Sequence, residues 1–175
     1  MRWICAIAFL LISVLPTIAT AQGTLTILPR QDNTVYLHHD VPLDFGQGFD
    51  VYRQGGAGDF VKLNDAPVLS AQTPAEATAM FADDAEAIFD LLEQTNAFRA
   101  LIDLRSDPTQ ATLFGLVFPG AARALGRSYL DANAPIGQQA TYRLVFVNNA
   151  GTPTGRTLEA TASLTPSAPP PPINL

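Results

Sequence analysis

Pro135-Ile136-Gly137-Gln138-Gln139-Ala140-Thr141-Tyr142-Arg143-Leu144-Val145-Phe146-Val147-Asn148-Asn149-Ala150-Gly151 holds the clearest strand of the chain. Tyr142, Leu144 and Phe146 alternate with Thr141, Arg143 and Val145. A period of two marks a strand with one buried face. Pro135 and Gly137 lead into it, and Asn148-Asn149-Ala150-Gly151 ends it with residues that tolerate positive φ. The flanks repeat the pattern. Ser128-Tyr129-Leu130-Asp131 is a short strand upstream. Gly151-Thr152-Pro153-Thr154-Gly155 is a turn downstream, and a strand runs from Thr157 to Leu164 with Leu158, Ala160, Ala162 and Leu164 on one side.

The first part of the chain reads the same way. Thr24 to Leu28 is a short strand ended by Pro29. In Asn33 to Asp40, Val35, Leu37 and His39 alternate with Tyr36 and His38. In Gly48 to Arg53, Phe49 and Val51 oppose Asp50 and Tyr52. The glycine-rich Gln54 to Asp59 then links it to a returning strand, Phe60 to Leu63. These glycines do not read as a phosphate loop, because strands flank them and no helix opening on Lys-Ser/Thr follows.

Between the two strand-rich parts the period changes. Thr73-Pro74-Ala75-Glu76 combines an N-cap, a proline at the first helical position and a glutamate at the capping-box position. Phe81, Ala85, Ile88 and Leu92 follow at helical spacing. Asn96 caps a second helix with Phe98, Leu101 and Ile102 on its apolar side. Asp107-Pro108-Thr109-Gln110 opens a third ahead of the apolar run Leu113 to Phe118. Pro119-Gly120 interrupts, a last turn covers Ala121 to Leu125, and Gly126 suits the position after a helix end.

The chain has 175 residues and a formal net charge of −6 at pH 7. Its first residues read as a signal peptide, 1–21: Arg2, an apolar run from Trp3 to Leu15 broken only by Ser13, then Pro16 and Ala19-Thr20-Ala21 before the cleavage point. The run is short of the ~20 residues a membrane-spanning helix needs. Cleavage removes Arg2 and leaves the mature chain more acidic, with Lys62 as its one lysine. Such a surface disfavours nucleic acid and anionic membranes. Cys5, the only cysteine, leaves with the signal and lies too near the N-terminus to read as a lipid-attachment site, so packing alone must hold the mature fold. The expected location is secreted or cell-surface, or periplasmic in a two-membrane bacterium. Residues 166–175 form a proline-rich linker with Pro169 to Pro172 in sequence, a composition that favours extended polyproline II.

These strands resemble a fibronectin type III domain. The likeness rests on Val35-Tyr36-Leu37-His38-His39 and Gly48-Phe49-Asp50-Val51-Tyr52-Arg53 as second and third strands. Its most specific part is Tyr129-Leu130-Asp131, Ala134-Pro135-Ile136-Gly137, Thr141-Tyr142-Arg143-Leu144 and Asn148-Asn149-Ala150-Gly151. The final alternating strand completes it. The resemblance implies a mainly β fold: an antiparallel, immunoglobulin-like β-sandwich over 22–165, made by 22–65 and 127–165, which together approach the ~100 residues usual for such a domain. An α-helical insertion of three to four short helices, 66–126, interrupts it. His39 stands where the family usually has tryptophan, and Ala140 where it usually has the corner tyrosine, so core volume remains to be filled. Phe81, Phe89, Phe98, Phe114 and Phe118 imply that the insert packs apolar faces on the sandwich and replaces one edge. Pro171-Pro172-Ile173-Asn174-Leu175 resembles the opening of a further domain of the kind, as in a multidomain protein.

No catalytic set is visible, so the expectation is a non-enzyme without cofactor or metal. His38 and His39 in His38-His39-Asp40 point to opposite faces of one strand and cannot share a metal; His39 is expected partly buried and His38 exposed. Asp83, Asp84, Glu86, Asp90 and Glu93 lack the spacing and central glycine of a calcium loop and read as a solvated helix face. No two carboxylates stand out for glycoside hydrolysis, and no nucleophile–base pair is apparent. Tyr36 and Tyr52 would be the material for an aromatic sugar platform. The resulting expectation is an exported module for adhesion, spacing or protein–protein contact. The alternatives are an accessory domain of an extracellular polysaccharide-degrading enzyme, and a helical insert that itself displays a binding surface.

Overall fold

A computed structural model describes residues 23–165. The signal reading of 1–21 and the linker reading of 166–175 lie outside these residues. Strands β1 (Leu25–Pro29), β2 (Val35–His39), β3 (Gly48–Gly55), β4 (Val61–Lys62) and β5 (Val68–Leu69) come first. Helices α1 (Pro74–Phe81), α2 (Ala85–Leu92), α3 (Ala97–Ser106), α4 (Pro108–Val117) and α5 (Pro119–Ala124) follow, and β6 (Ser128–Asp131), β7 (Gln139–Val147) and β8 (Pro153–Ser163) close the chain.

The strands form two antiparallel sheets, one ordered β1-β2-β6 and the other β4-β3-β7-β8, with β5 also on β3. Two ladders join the distant parts of the chain. Val35, Tyr36, Leu37 and His38 pair with Asp131, Leu130, Tyr129 and Ser128. The whole of β3 pairs with β7, from Gly48 opposite Val147 to Gly55 opposite Ala140. Val35 and Leu37 of the first sheet share one apolar interior with Phe49, Val51, Tyr142, Leu144, Phe146 and Leu158 of the second. Each fully buried side chain of this size contributes about 1.5–3 kcal/mol relative to exposure.

Core volume at His39 and Ala140 is taken up locally. The His39 ring meets Phe49 and Phe146 edge-on, with centroids 4.8 and 5.2 Å away. Beside the buried Ala140, Tyr142 is fully enclosed and donates its hydroxyl proton to Asp131 Oδ2 at 2.8 Å.

The free edge of β3 is covered by one interrupted strand. β4 pairs with Tyr52 and Arg53, and β5 with Gly48 and Phe49. Between them the Asn64 side chain replaces a backbone partner: its Oδ1 accepts the Val51 N–H at 2.7 Å. The sheet therefore runs on to Leu69, beyond the expected start of the insert at Ala66, and keeps its own edge strand. The last strand likewise starts at Pro153, inside the expected turn, because a register shift between Val145 and Val147 lets β8 follow β7 further.

All three helix starts read from the sequence are present. Thr73 and Glu76 form a reciprocal capping box, Asn96 accepts the Arg99 N–H, and Asp107 accepts those of Thr109 and Gln110. The run from Phe81 to Leu92 is not one helix. Ala82, at φ 46°, breaks it, and a 3-10 turn over 82–84 joins α1 to α2. Asp84, assigned to a solvated face, instead accepts the Gly120 N–H at 2.6 Å.

The helical part is divided into more helices than expected, within a shorter segment. The described residues hold five α-helices, with about as many residues in helices as in strands. The fold is thus an even mixture of helix and antiparallel sheet, not a mainly β one. The packing differs as well. Phe81, Ile88, Leu101 and Leu104, with Ala77, Ala100, Ala111, Ala121 and Ala124, build a second apolar interior separate from that of the sheets. The helices bury their faces chiefly on one another.

A short seam joins the two interiors. Ala71 donates its N–H to Ala124 O and His39 donates its own to Arg127 O, both at 2.9 Å. Gly126 turns the chain from α5 into β6 at φ +66°, with the Arg127 N–H bonded to Ala122 O and the Gly126 N–H to Arg123 O. This is the bonding pattern of a left-handed helix end. A methyl group at position 126 would lie 2.6 Å from the Ser70 nitrogen. Gly126→Ala is therefore expected to destabilise the protein by about 2 kcal/mol through strain and overlap. Urea denaturation checks this, and an unchanged midpoint would contradict the tight seating of the seam.

Candidate functional site

The seam gathers the polar groups that the sheets and helices leave over. His39 points into the sheet interior, and its Nε2 donates to Gly126 O at 3.1 Å, while Nδ1 has no partner. Burial, followed by the charges of His38 and Arg127, lowers its pKa to about 3, so the ring is neutral near pH 7.

His38 lies on the opposite face of β2, as alternation requires. It is buried rather than exposed, at 3% accessibility. Helix α4 covers that face: a Cβ on Gly115 would sit 3.0 Å from His38 Nε2. Burial and the Arg127 charge lower the His38 pKa too. The two rings do not come together, and no group of three or more potential metal ligands occurs among the described residues.

Two arginines complete the seam. Arg127, the first residue after Gly126, is 3% exposed and donates from Nη1 to Thr112 Oγ1 at 3.2 Å. Arg105, near the end of α3, donates to Leu43 O at 2.8 Å and to Ser70 Oγ, and lies 3.9 Å over the Phe45 ring. Burial lowers the basicity of both. Sequence reasoning missed this pair. One signal was available: Arg105 is four residues after Leu101 and so lies beside the buried side of α3. Nothing in the local pattern marks Arg127.

Two concave features flank the seam. One is a cleft of about 570 Å³ bordered by Leu43, Phe45, Ile102, Arg105 and Arg127. The other is an apolar groove of about 600 Å³ between the outer face of the first sheet and the helices. Leu28, Tyr36 and Leu130, in register across β1, β2 and β6, form one wall, and Met80, Leu116 and Pro119 the other. Leu28, Leu116 and Leu130 are exposed there.

Tyr36 and Tyr52 belong to different sheets, so the structure does not assemble them into one platform. The glycine-rich stretch forms the β3–β4 turn, closed by the Gly58 N–H on Gly55 O. No helix among the described residues is long and apolar enough to cross a membrane. No family model, no curated protein and no solved structure matches the chain.

Proposed function

We propose that the chain is an exported, non-catalytic, fibronectin type III-like module whose work is protein–protein contact, in adhesion or in assembly of a larger surface protein. The observation that carries this reading is the apolar groove. Exposed leucines gathered along a concave seam between sheet and helices are the usual mark of a surface that meets a partner. The strand order β1-β2-β6 over β4-β3-β7-β8, around one interior, supports the sandwich part of the reading. The helical insert then supplies one wall of the contact surface.

The test applies the purified chain to immobilised cell-surface protein and, separately, to insoluble polysaccharides. Retention on the protein surface is expected, with loss after protease treatment of that surface and at least ~10-fold weakening by Leu116→Asp with Leu130→Lys. Both positions are exposed, so the melting temperature should hold. Retention on polysaccharide alone would replace this reading with the accessory-domain one. Retention on neither would overturn it.

A further inference from the structure

The cleft bordered by Arg105 and Arg127 has a charge imbalance, two guanidiniums against the one carboxylate of Asp44. No carboxylate among the described residues lies in salt-bridge range of either guanidinium; the ion pairs found there involve Arg30, Arg53, Lys62 and Arg143. The Nε atoms of both arginines are buried and have no hydrogen-bond partner. Two acids act on these arginines through space, Asp40 from outside the cleft and Asp44 from its border, and neither pairs with a guanidinium. Asp40 accepts the Thr24 N–H at 2.7 Å, and Asp44 accepts from Gln47 Nε2 at 3.2 Å. His38 and His39 cannot supply a counter-charge, because an imidazole is either neutral or cationic.

A guanidinium stays protonated even when burial lowers its basicity. Held out of water without a counterion, it is costly, and structures normally pair it. Leu43, Phe45 and Ile102 give the same cleft apolar wall, with Asp44 and Ser106 on its border. At about 570 Å³ it is of the size that takes a small molecule. A planar guanidinium fork suits a carboxylate, and apolar walls suit a hydrocarbon body. A compact, strongly hydrated anion would leave those walls wet.

We propose that this cleft binds a small amphipathic carboxylate, its head on Arg127 and Arg105 and its apolar body against Leu43, Phe45 and Ile102. The site is separate from the apolar groove and does not depend on the contact role proposed above.

Three probes test it on the full chain by NMR titration and calorimetry: hexanoate, its neutral analogue hexanol, and inorganic phosphate. Hexanoate is expected to shift the amides of Leu43, Phe45, Ile102 and Arg127 saturably, and to bind at least ~10-fold more tightly than either of the others. Arg127→Met should weaken hexanoate at least ~10-fold. Should that variant fail to fold, Ser106→Glu, at an exposed position on the border of the cleft, places a like charge against the head group and should also weaken hexanoate at least ~10-fold while leaving hexanol unchanged. The proposal is overturned by any of four results: no saturable hexanoate shift, hexanol binding as well as hexanoate, phosphate binding as well as hexanoate, or folded variants that keep wild-type affinity.

Discussion

Asp131→Ala should lower the unfolding free energy by about 3 kcal/mol, because it leaves buried partners of a charged group unmatched. Asp131 is 4% exposed, on β6 of the first sheet. Its Oδ2 accepts from Arg53 Nη1 of β3 at 2.6 Å and from the Tyr142 hydroxyl of β7 at 2.8 Å. Its Oδ1 accepts the Asn133 N–H at 3.0 Å. One carboxylate thus ties the two sheets together at one end of their interior. Arg53 can turn partly to water, but the Tyr142 hydroxyl cannot, since that residue is fully buried. Burial, reinforced by the bond to Asp131, raises the Tyr142 pKa, so the phenol stays a donor. Tyr142→Phe removes one bond and leaves the ion pair, at a cost of about 1 kcal/mol. In the Asp131→Ala background the same change should cost less, because the bond is already gone. Urea denaturation of the two single variants and the double variant measures all three terms. Loss of under ~0.5 kcal/mol for Asp131→Ala would show that the tie is not formed.

The second large effect is acid sensitivity through His39. Its folded pKa, lowered to about 3, lies below the unfolded value near 6.5. Between these values the unfolded chain binds the proton and the folded chain does not. Stability is therefore full above about pH 6.5 and falls as the pH is lowered towards 3. From pH 7 to pH 4 this one group accounts for a loss on the order of 3 kcal/mol. His39→Phe keeps an aromatic ring against Phe49 and Phe146 but cannot be protonated. It should cost about 1–2 kcal/mol at pH 7 through the lost bond to Gly126 O. Its further loss from pH 7 to pH 4 should be smaller than wild type's by about 3 kcal/mol. Parallel curves for the two proteins would mean that His39 is not held neutral.

What the sequence disclosed follows from what each signal encodes. Alternation in Tyr142, Leu144 and Phe146, and in Val35, Leu37 and His39, reports which face is apolar, and those residues are buried. Thr73, Asn96 and Asp107 report helix starts because their side chains bond locally. The break at Ala82 carries no glycine or proline to announce it. It is accommodated by tertiary bonds, among them Asp84 to Gly120. Helical periodicity in Phe81, Ile88 and Leu101 shows that a face must be buried but not against what. Periodicity alone therefore offers the sandwich as the partner of that face, and the separate helical interior is not legible in it. The burial of His38 is illegible for the same reason: alternation puts it on the outer face, and only tertiary structure lays α4 over that face. The arginine cleft was illegible because Arg105 and Arg127 sit on different elements and meet only once α5 has turned at Gly126.

Residues before Ala66 and after Gly126 form common ladders around one interior. Cross-strand nuclear Overhauser contacts in the solution NMR spectrum of the full chain test this most directly. Backbone contacts should link Leu37 with Tyr129 on one sheet and Val51 with Leu144 on the other, in a single folded species. Spectra in which each of these strands meets only neighbours from its own part of the chain would contradict it.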